Sequence, residues 1–232
     1  MAEWTVLEHG ALQQHAENLW TIEGSLPNMG LPRTCTVIRR DDGGVLLHSA
    51  IALSDEGMAA LAALGPLAGI IVPNAMHRLD APAYKARFPD VPVYCPPEAR
   101  AAVEEKVSVD ATYDSFPVGD DVWMFPVDGV AGAEWVIAVR SEDGLSLVFT
   151  DTLFNLPHQS GFGGLIMRLL GSSGGPKVTR IARWMMVKDK TALGKSMARL
   201  AELPDLRRVI PGHGDIITDN AAEILRGVAA TL

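Results

Sequence analysis

Cysteine is scarce in this chain: there are two in 232 residues, Cys35 and Cys95, and they show no CxxC spacing. That excludes a disulfide framework and a thiolate metal cluster, and two isolated thiols suit a reducing compartment. Long apolar runs are missing too. A membrane span needs ~18 consecutive apolar residues, and the longest candidates, 61–72 and 162–170, are broken by Gly or Pro. The opening Met1-Ala2-Glu3-Trp4 lacks the basic start and apolar stretch of a secretory signal. A cytoplasmic protein with no membrane partner is expected. Positive charge is in deficit, with 20 Lys and Arg against 28 Asp and Glu and a net charge of −8. A general nucleic-acid binder needs a basic face, so no nucleic-acid partner is expected. One basic stretch stands out, Arg168, Lys177, Arg180, Arg183, Lys188 and Lys190, and it reads as a solvated face. Neither an internal repeat nor a low-complexity tract is visible.

What is present is an ordinary globular composition, 48% hydrophobic and 21% charged, enough for a sizeable core. The β-branched run 34–40, a turn at Asp41-Asp42-Gly43-Gly44 and the run 45–49 predict a hairpin. Ser54 caps a helix that Gly65-Pro66 stops. The apolar run 67–72 predicts a strand buried on both faces. Further helices are expected at 81–88 and 97–106, and strands at 91–95 and 122–127. A hairpin joins 135–140 to 146–150 across 141–144. The Gly- and Ser-rich segment 161–176 holds an apolar helix at 165–170 and lies within an expected lid or insert over 156–190. A helix at 191–203, a strand at 207–210 and a helix at 220–232 close the chain, read as a single domain over 1–232. Met185 and Met186 read as core. Mixed strands and helices in this order predict an α/β sandwich.

Two motifs carry chemistry. Phe149-Thr150-Asp151-Thr152-Leu153-Phe154 delivers an Asp at a strand end. Val209-Ile210-Pro211-Gly212-His213-Gly214-Asp215 delivers a His in a Gly-flanked turn, where the backbone can approach a buried centre. An Asp and a His at strand ends are two of the three ligands of a small metal site; the competing reading is a buried, hydrogen-bonded pair.

This order of elements, with Asp151 and His213 at strand ends, resembles the metallo-β-lactamase fold over roughly residues 18–217. The resemblance implies an αββα sandwich of two mixed β-sheets flanked by helices. It also implies a loop of the form His-x-His-x-Asp-His, a Gly-His pair, a bridging Asp and a Pro-Gly-His loop, which together hold two metal ions. The first loop here reads Val72-Pro73-Asn74-Ala75-Met76-His77-Arg78-Leu79-Asp80. Phe88-Pro89-Asp90-Val91-Pro92-Val93-Tyr94 matches a run that follows the last His in relatives, which puts His77 on that His. Asn74, Met76 and Val72 then stand on the second His, the Asp and the first His. The alternative register places Asn74 on the first His and Leu79 on the last. Gly129 stands where the Gly-His pair has its His.

On the preferred register the first metal position has lost its ligands. The second keeps His77, Asp151 and His213, a set suited to one divalent ion, Zn²⁺ or else Fe²⁺ or Mn²⁺. The chain looks like a divergent, uncharacterised branch with a degenerate site, which implies the fold without a substrate. Asn74 can hold a water or substrate oxygen, and Glu134 can replace a lost ligand or sit solvated on a strand. His48 can orient a ligand or be structural, and His158 can contact substrate or metal. His9 and His15 read as surface residues. Arg183-Trp184 can close over an anionic substrate or simply stack. Three functions stay open. The first is a mononuclear metal-dependent hydrolase of a small molecule; the others are an inactive binding module and a non-haem iron oxygenase or redox protein.

Overall fold

The computed structural model describes residues 3–131 and 134–232. Two compact units divide the chain, Met1–Trp123 and Met124–Leu232.

In the first unit the strands are β1 (Gln13–Ala16), β2 (Leu19–Leu26), β3 (Met29–Arg39), β4 (Val45–His48), β5 (Leu67–Ile71), β6 (Val93–Cys95) and β7 (Ala111–Thr112). They form one sheet in sequence order. β1 to β4 pair antiparallel, and β4 to β7 pair parallel. Helices α1 (Asp55–Ala62), α2 (Ala81–Arg87) and α3 (Arg100–Glu104) supply the connections that parallel pairing requires. Val37, Leu47, Ile70 and Val93 meet Met58, Leu61, Tyr84 and Val103 in one core. Tyr84 is fully buried, and its hydroxyl donates to the Ile51 carbonyl at 2.8 Å, which removes the cost of burying it. Both cysteines are buried and free, and burial pushes the Cys35 thiol up to about 12 and the Cys95 thiol up to about 11, so both stay as inert thiols.

The helix start at Ser54 is as expected. Its Oγ accepts from Gly57 N at 3.2 Å, while its own N–H donates to His9 Nε2 at 2.9 Å. His9 is therefore no idle surface residue: it ties the N-terminal segment to α1. Ser54→Ala is expected to cost about 1 kcal/mol, read as a lowered urea midpoint with an unchanged slope.

β1, β2 and β7 were not expected from sequence, and β3 starts at Met29 rather than at 34. The segment 97–106 is a 3₁₀ turn, Pro97–Ala99, followed by the short α3.

The second unit contains β9 (Trp135–Ser141), β10 (Gly144–Val148) and β13 (Leu206–Ile210), joined by β8 (Val122–Pro126), which starts at the end of the first unit. Their order is β13-β10-β9-β8. The hairpin turn is tighter than expected, with Ser141 paired to Gly144, whose φ of +136° favours glycine. β10 is buried at every residue, as its apolar composition requires. A second, three-stranded sheet runs β12 (Gly175–Lys177), β11 (Phe154–Leu156), β14 (His213–Gly214). Helix α4 (Gly161–Leu169) is inserted between β11 and β12, α5 (Arg180–Met185) follows, and α6 (Lys190–Ala201) packs on α7 (Ala221–Ala229). Among the described residues no helix is long and apolar enough to cross a membrane.

Met185 corrects the reading of the Met-Met step as core: it is 53% exposed. Trp184 is 86% exposed, and Arg183 does not stack over it but donates to the Val178 carbonyl and to Thr231 Oγ1.

Candidate metal centre

Asp151 follows β10, and the backbone on either side of it is fixed by one carboxylate. Glu134 Oε1 accepts from Thr150 N at 2.7 Å, and its Oε2 accepts from Asp151 N at 3.1 Å. Glu134 is 2% exposed, so the expectation of a solvated strand face is corrected. Burial, then the nearby Asp151 charge, push its carboxyl up to about 7, against the pull of the two N–H bonds.

His213 opens β14, whose register sets it opposite Phe154 in β11. The two rings stack at 4.7 Å between centroids and 22° between planes. His213 Nε2 lies 3.4 Å from Asp151 Oδ1, and both side chains are buried. The flanking glycines are required. A Cβ on Gly212 would run into the Thr150 carbonyl, and one on Gly214, at φ +93°, into the Asn155 carbonyl. Only the smallest residue lets the Pro-Gly-His turn press this closely on the strand end that carries Asp151.

His77 sits in the loop after β5. Asn74 shapes that loop, its Oδ1 accepting from Met76 N at 2.8 Å and from His77 N at 3.1 Å. An Asn favours this local turn over continued strand. Asp80, three residues on, pairs with the buried Arg33 at 2.6 Å and accepts from Ala52 N at 3.2 Å, which anchors the loop's far end. His77 Nδ1 lies 3.0 Å from Ser49 Oγ, and Ser49 adopts a left-handed φ of +56° just after β4. Nothing in the sequence marked Ser49 or Phe154, since neither residue type is unusual at a strand end.

His77, Asp151 and His213 make up the group of prospective metal ligands found among the described residues. Each offers one ligand atom, and these atoms lie within 4.8 Å of one another. Glu134 and His158 are not in that group. Glu134 is occupied with backbone, and His158 Nδ1 lies 3.0 Å from Ser173 Oγ. His48 is buried in the sheet, paired across to Thr36 and Ile71. Gly129 has a reason not to be a His. At φ +83° a Cβ there would strike the Asp189 carbonyl, and the Gly129 carbonyl accepts from Lys188 N and Asp189 N at the start of α6.

No family model matches the sequence, and no curated protein matches it. Solved structures do. The metallo-β-lactamase FIM-1 from Pseudomonas aeruginosa, in its mono-zinc form, superposes with a TM-score of 0.63 at 12% identity, over 98% of this chain and 96% of that one. A metallo-β-lactamase from Erythrobacter litoralis, with β-mercaptoethanol in its active site, gives 0.62 at 16% identity over 95% and 96%. The metallo-β-lactamase DIM-1 gives 0.61 at 15% identity over 97% and 99%. At such identities the likeness is one of fold: this chain has the metallo-β-lactamase fold, an αββα sandwich of mixed sheets flanked by helices.

Proposed function

We infer that the protein is a hydrolase that works with one divalent metal ion held by His77, Asp151 and His213. The observation that carries this reading is the approach of those three ligand atoms to within 4.8 Å of one another. Two imidazoles and one carboxylate are a donor set that suits Zn²⁺, and equally Fe²⁺ or Mn²⁺. A bound ion would supply a Lewis acid and a water of lowered pKa. The fold is shared with FIM-1, a protein known in a mono-zinc form.

The chain's own residues prepare this chemistry. Glu134 holds the Asp151 backbone through two N–H bonds. Phe154 stacks on His213 and limits its ring rotation. Ser49 at His77 Nδ1 orients the second imidazole, the kind of support that fixes a ligand's tautomer. Met76, 55% exposed, stands where the resemblance would put an Asp that orients the attacking water. That loss argues against β-lactams and favours small esters and phosphoesters.

The test is turnover of p-nitrophenyl esters and bis-p-nitrophenyl phosphate by protein loaded with Zn²⁺, Mn²⁺ or Fe²⁺. Hydrolysis that chelation abolishes, that metal restores and that Asp151→Asn lacks is the expected result. A metal-loaded protein that hydrolyses neither class overturns the reading and leaves a binding module.

A further inference from the structure

We propose that the α4–α5 surface docks onto an anionic lipid bilayer, lying on it without crossing. The proposal stands apart from the metal centre and rests on different residues.

The first observation is the state of α4. Leu165, Ile166 and Leu169, with Leu170 just after the helix, are all exposed, Leu169 at 68%. At 100° per residue these four fall on one face. Gly164 is the one buried residue among the described side-chain positions of α4. A nine-residue helix is marginal in water and normally owes its stability to packing an apolar face. Here that face is presented outward.

The second observation is α5. Ala182 and the preceding Val178 are buried and anchor its inner side, while Ile181, Trp184 and Met185 point away from the core. Arg180 Nη1 donates to the Leu169 carbonyl at 3.3 Å, which ties the start of α5 to the end of α4. A Cβ at Gly171 would meet the Arg180 side chain at 3.0 Å, so the connection is tightly packed. The platform's base is held as well, with Lys177 Nζ donating to the Ser173 carbonyl at 2.7 Å. Exposed apolar residues gathered in this way mark a contact surface.

Charge selects the occupant. Residues 152–188 contain five cations, Arg168, Lys177, Arg180, Arg183 and Lys188, and no Asp or Glu. The whole chain carries −8, which leaves −13 on the rest. An anionic membrane would attract this patch and repel the remainder, so it would orient the molecule with α4 and α5 inward. Leu, Ile and Trp beside Arg and Lys is the composition of helices that lie in the bilayer interface. A second copy of the chain suits the patch poorly, because a two-fold contact would set these cations against their own copies. The sequence expectation of no membrane partner rested on the lack of a spanning segment, which a surface contact does not need.

The test is co-sedimentation of the full chain with vesicles of two parts phosphatidylcholine to one part phosphatidylglycerol, beside pure phosphatidylcholine, in chelator. Binding to the anionic vesicles alone, weakened by salt, is expected. Arg168→Gln and Arg180→Gln should each weaken it about fivefold, and Leu169→Glu with Trp184→Glu at least about tenfold. Because Arg168→Gln alters only an exposed side chain that the platform does not use to hold itself together, it keeps the test decisive should the Glu pair misfold by circular dichroism. Absence of vesicle binding, equal binding to neutral vesicles, or binding unchanged in the folded variants would overturn the proposal. A concentration-dependent dimer that the Glu pair dissolves, without vesicle binding, would assign the surface to a second copy instead.

Discussion

Replacing His213 by Ala is expected to take the protein from about one bound divalent ion per chain to none that survives dialysis. His213 is buried, stacked on Phe154 and 3.4 Å from Asp151, so its imidazole is already oriented and desolvated before any ion arrives. Its loss leaves one imidazole and one carboxylate, too few to compete with water. Loss of an outer partner alone costs ~10–100-fold in affinity, so loss of a ligand should exceed 100-fold, roughly the upper end of that range. Elemental analysis of protein purified without chelator or affinity-tag metal measures this directly. His158→Ala is the control, since His158 is turned to Ser173 and should leave the metal content unchanged. Wild-type protein that stays empty after incubation with Zn²⁺, Mn²⁺ and Fe²⁺ would sink the metal reading. So would a His213→Ala variant that retains its ion.

Glu134 should make the metal-free protein's stability depend on pH in a way that Glu134→Gln does not. Its folded pKa of about 7 stands above the ordinary 4.5. Between those values the folded protein keeps a proton that the unfolded chain has released. The resulting stability is fully present below pH 4.5 and is lost as pH rises through 7. Across that window the loss is roughly 3 kcal/mol. Gln cannot titrate, so the variant should gain on wild type by up to roughly 3 kcal/mol between about pH 5 and about pH 8. The amide carries one acceptor oxygen for two backbone N–H groups, which adds a cost that does not vary with pH. Urea melts of both proteins in chelator measure the difference. Parallel curves across this range would show that Glu134 does not titrate there.

Much of the fold was legible because local rules wrote it. The turn at Asp41-Asp42-Gly43-Gly44, the cap at Ser54 and the apolar strand Leu67–Ile71 are decided within a few residues of themselves and stand where expected, although Leu67 and Ala68 are only half-buried. β2 escaped notice because Leu-Trp-Thr-Ile-Glu-Gly-Ser-Leu lacks strict alternation, and Gly24, a weak strand former, serves there to admit Ile51. β11, β12 and β14 have three, three and two residues. Strands that short carry no periodicity, and their pairing of Phe154 with His213 joins distant segments.

The candidate site divides the same way. Asp151 after an apolar strand and His213 between two glycines could be picked from the sequence, because a ligand at a strand end and a glycine at a close approach are local features. His77 needed a resemblance to find it. Glu134 was misplaced on a solvated face, since its burial depends on the Thr150 and Asp151 amides sixteen and seventeen residues away. The reason Gly129 cannot be a ligand lies in the backbone of α6, which no motif around Gly129 announces. What the sequence by itself determined was the supply of donors and the hinges that allow their approach, because residue chemistry and φ preference act locally. Only the tertiary structure decided which donors meet and which are spent on backbone amides. It also decided that the apolar residues of α4 and α5 face outward, because pairing, burial and exposure are settled by contacts between segments far apart in the chain.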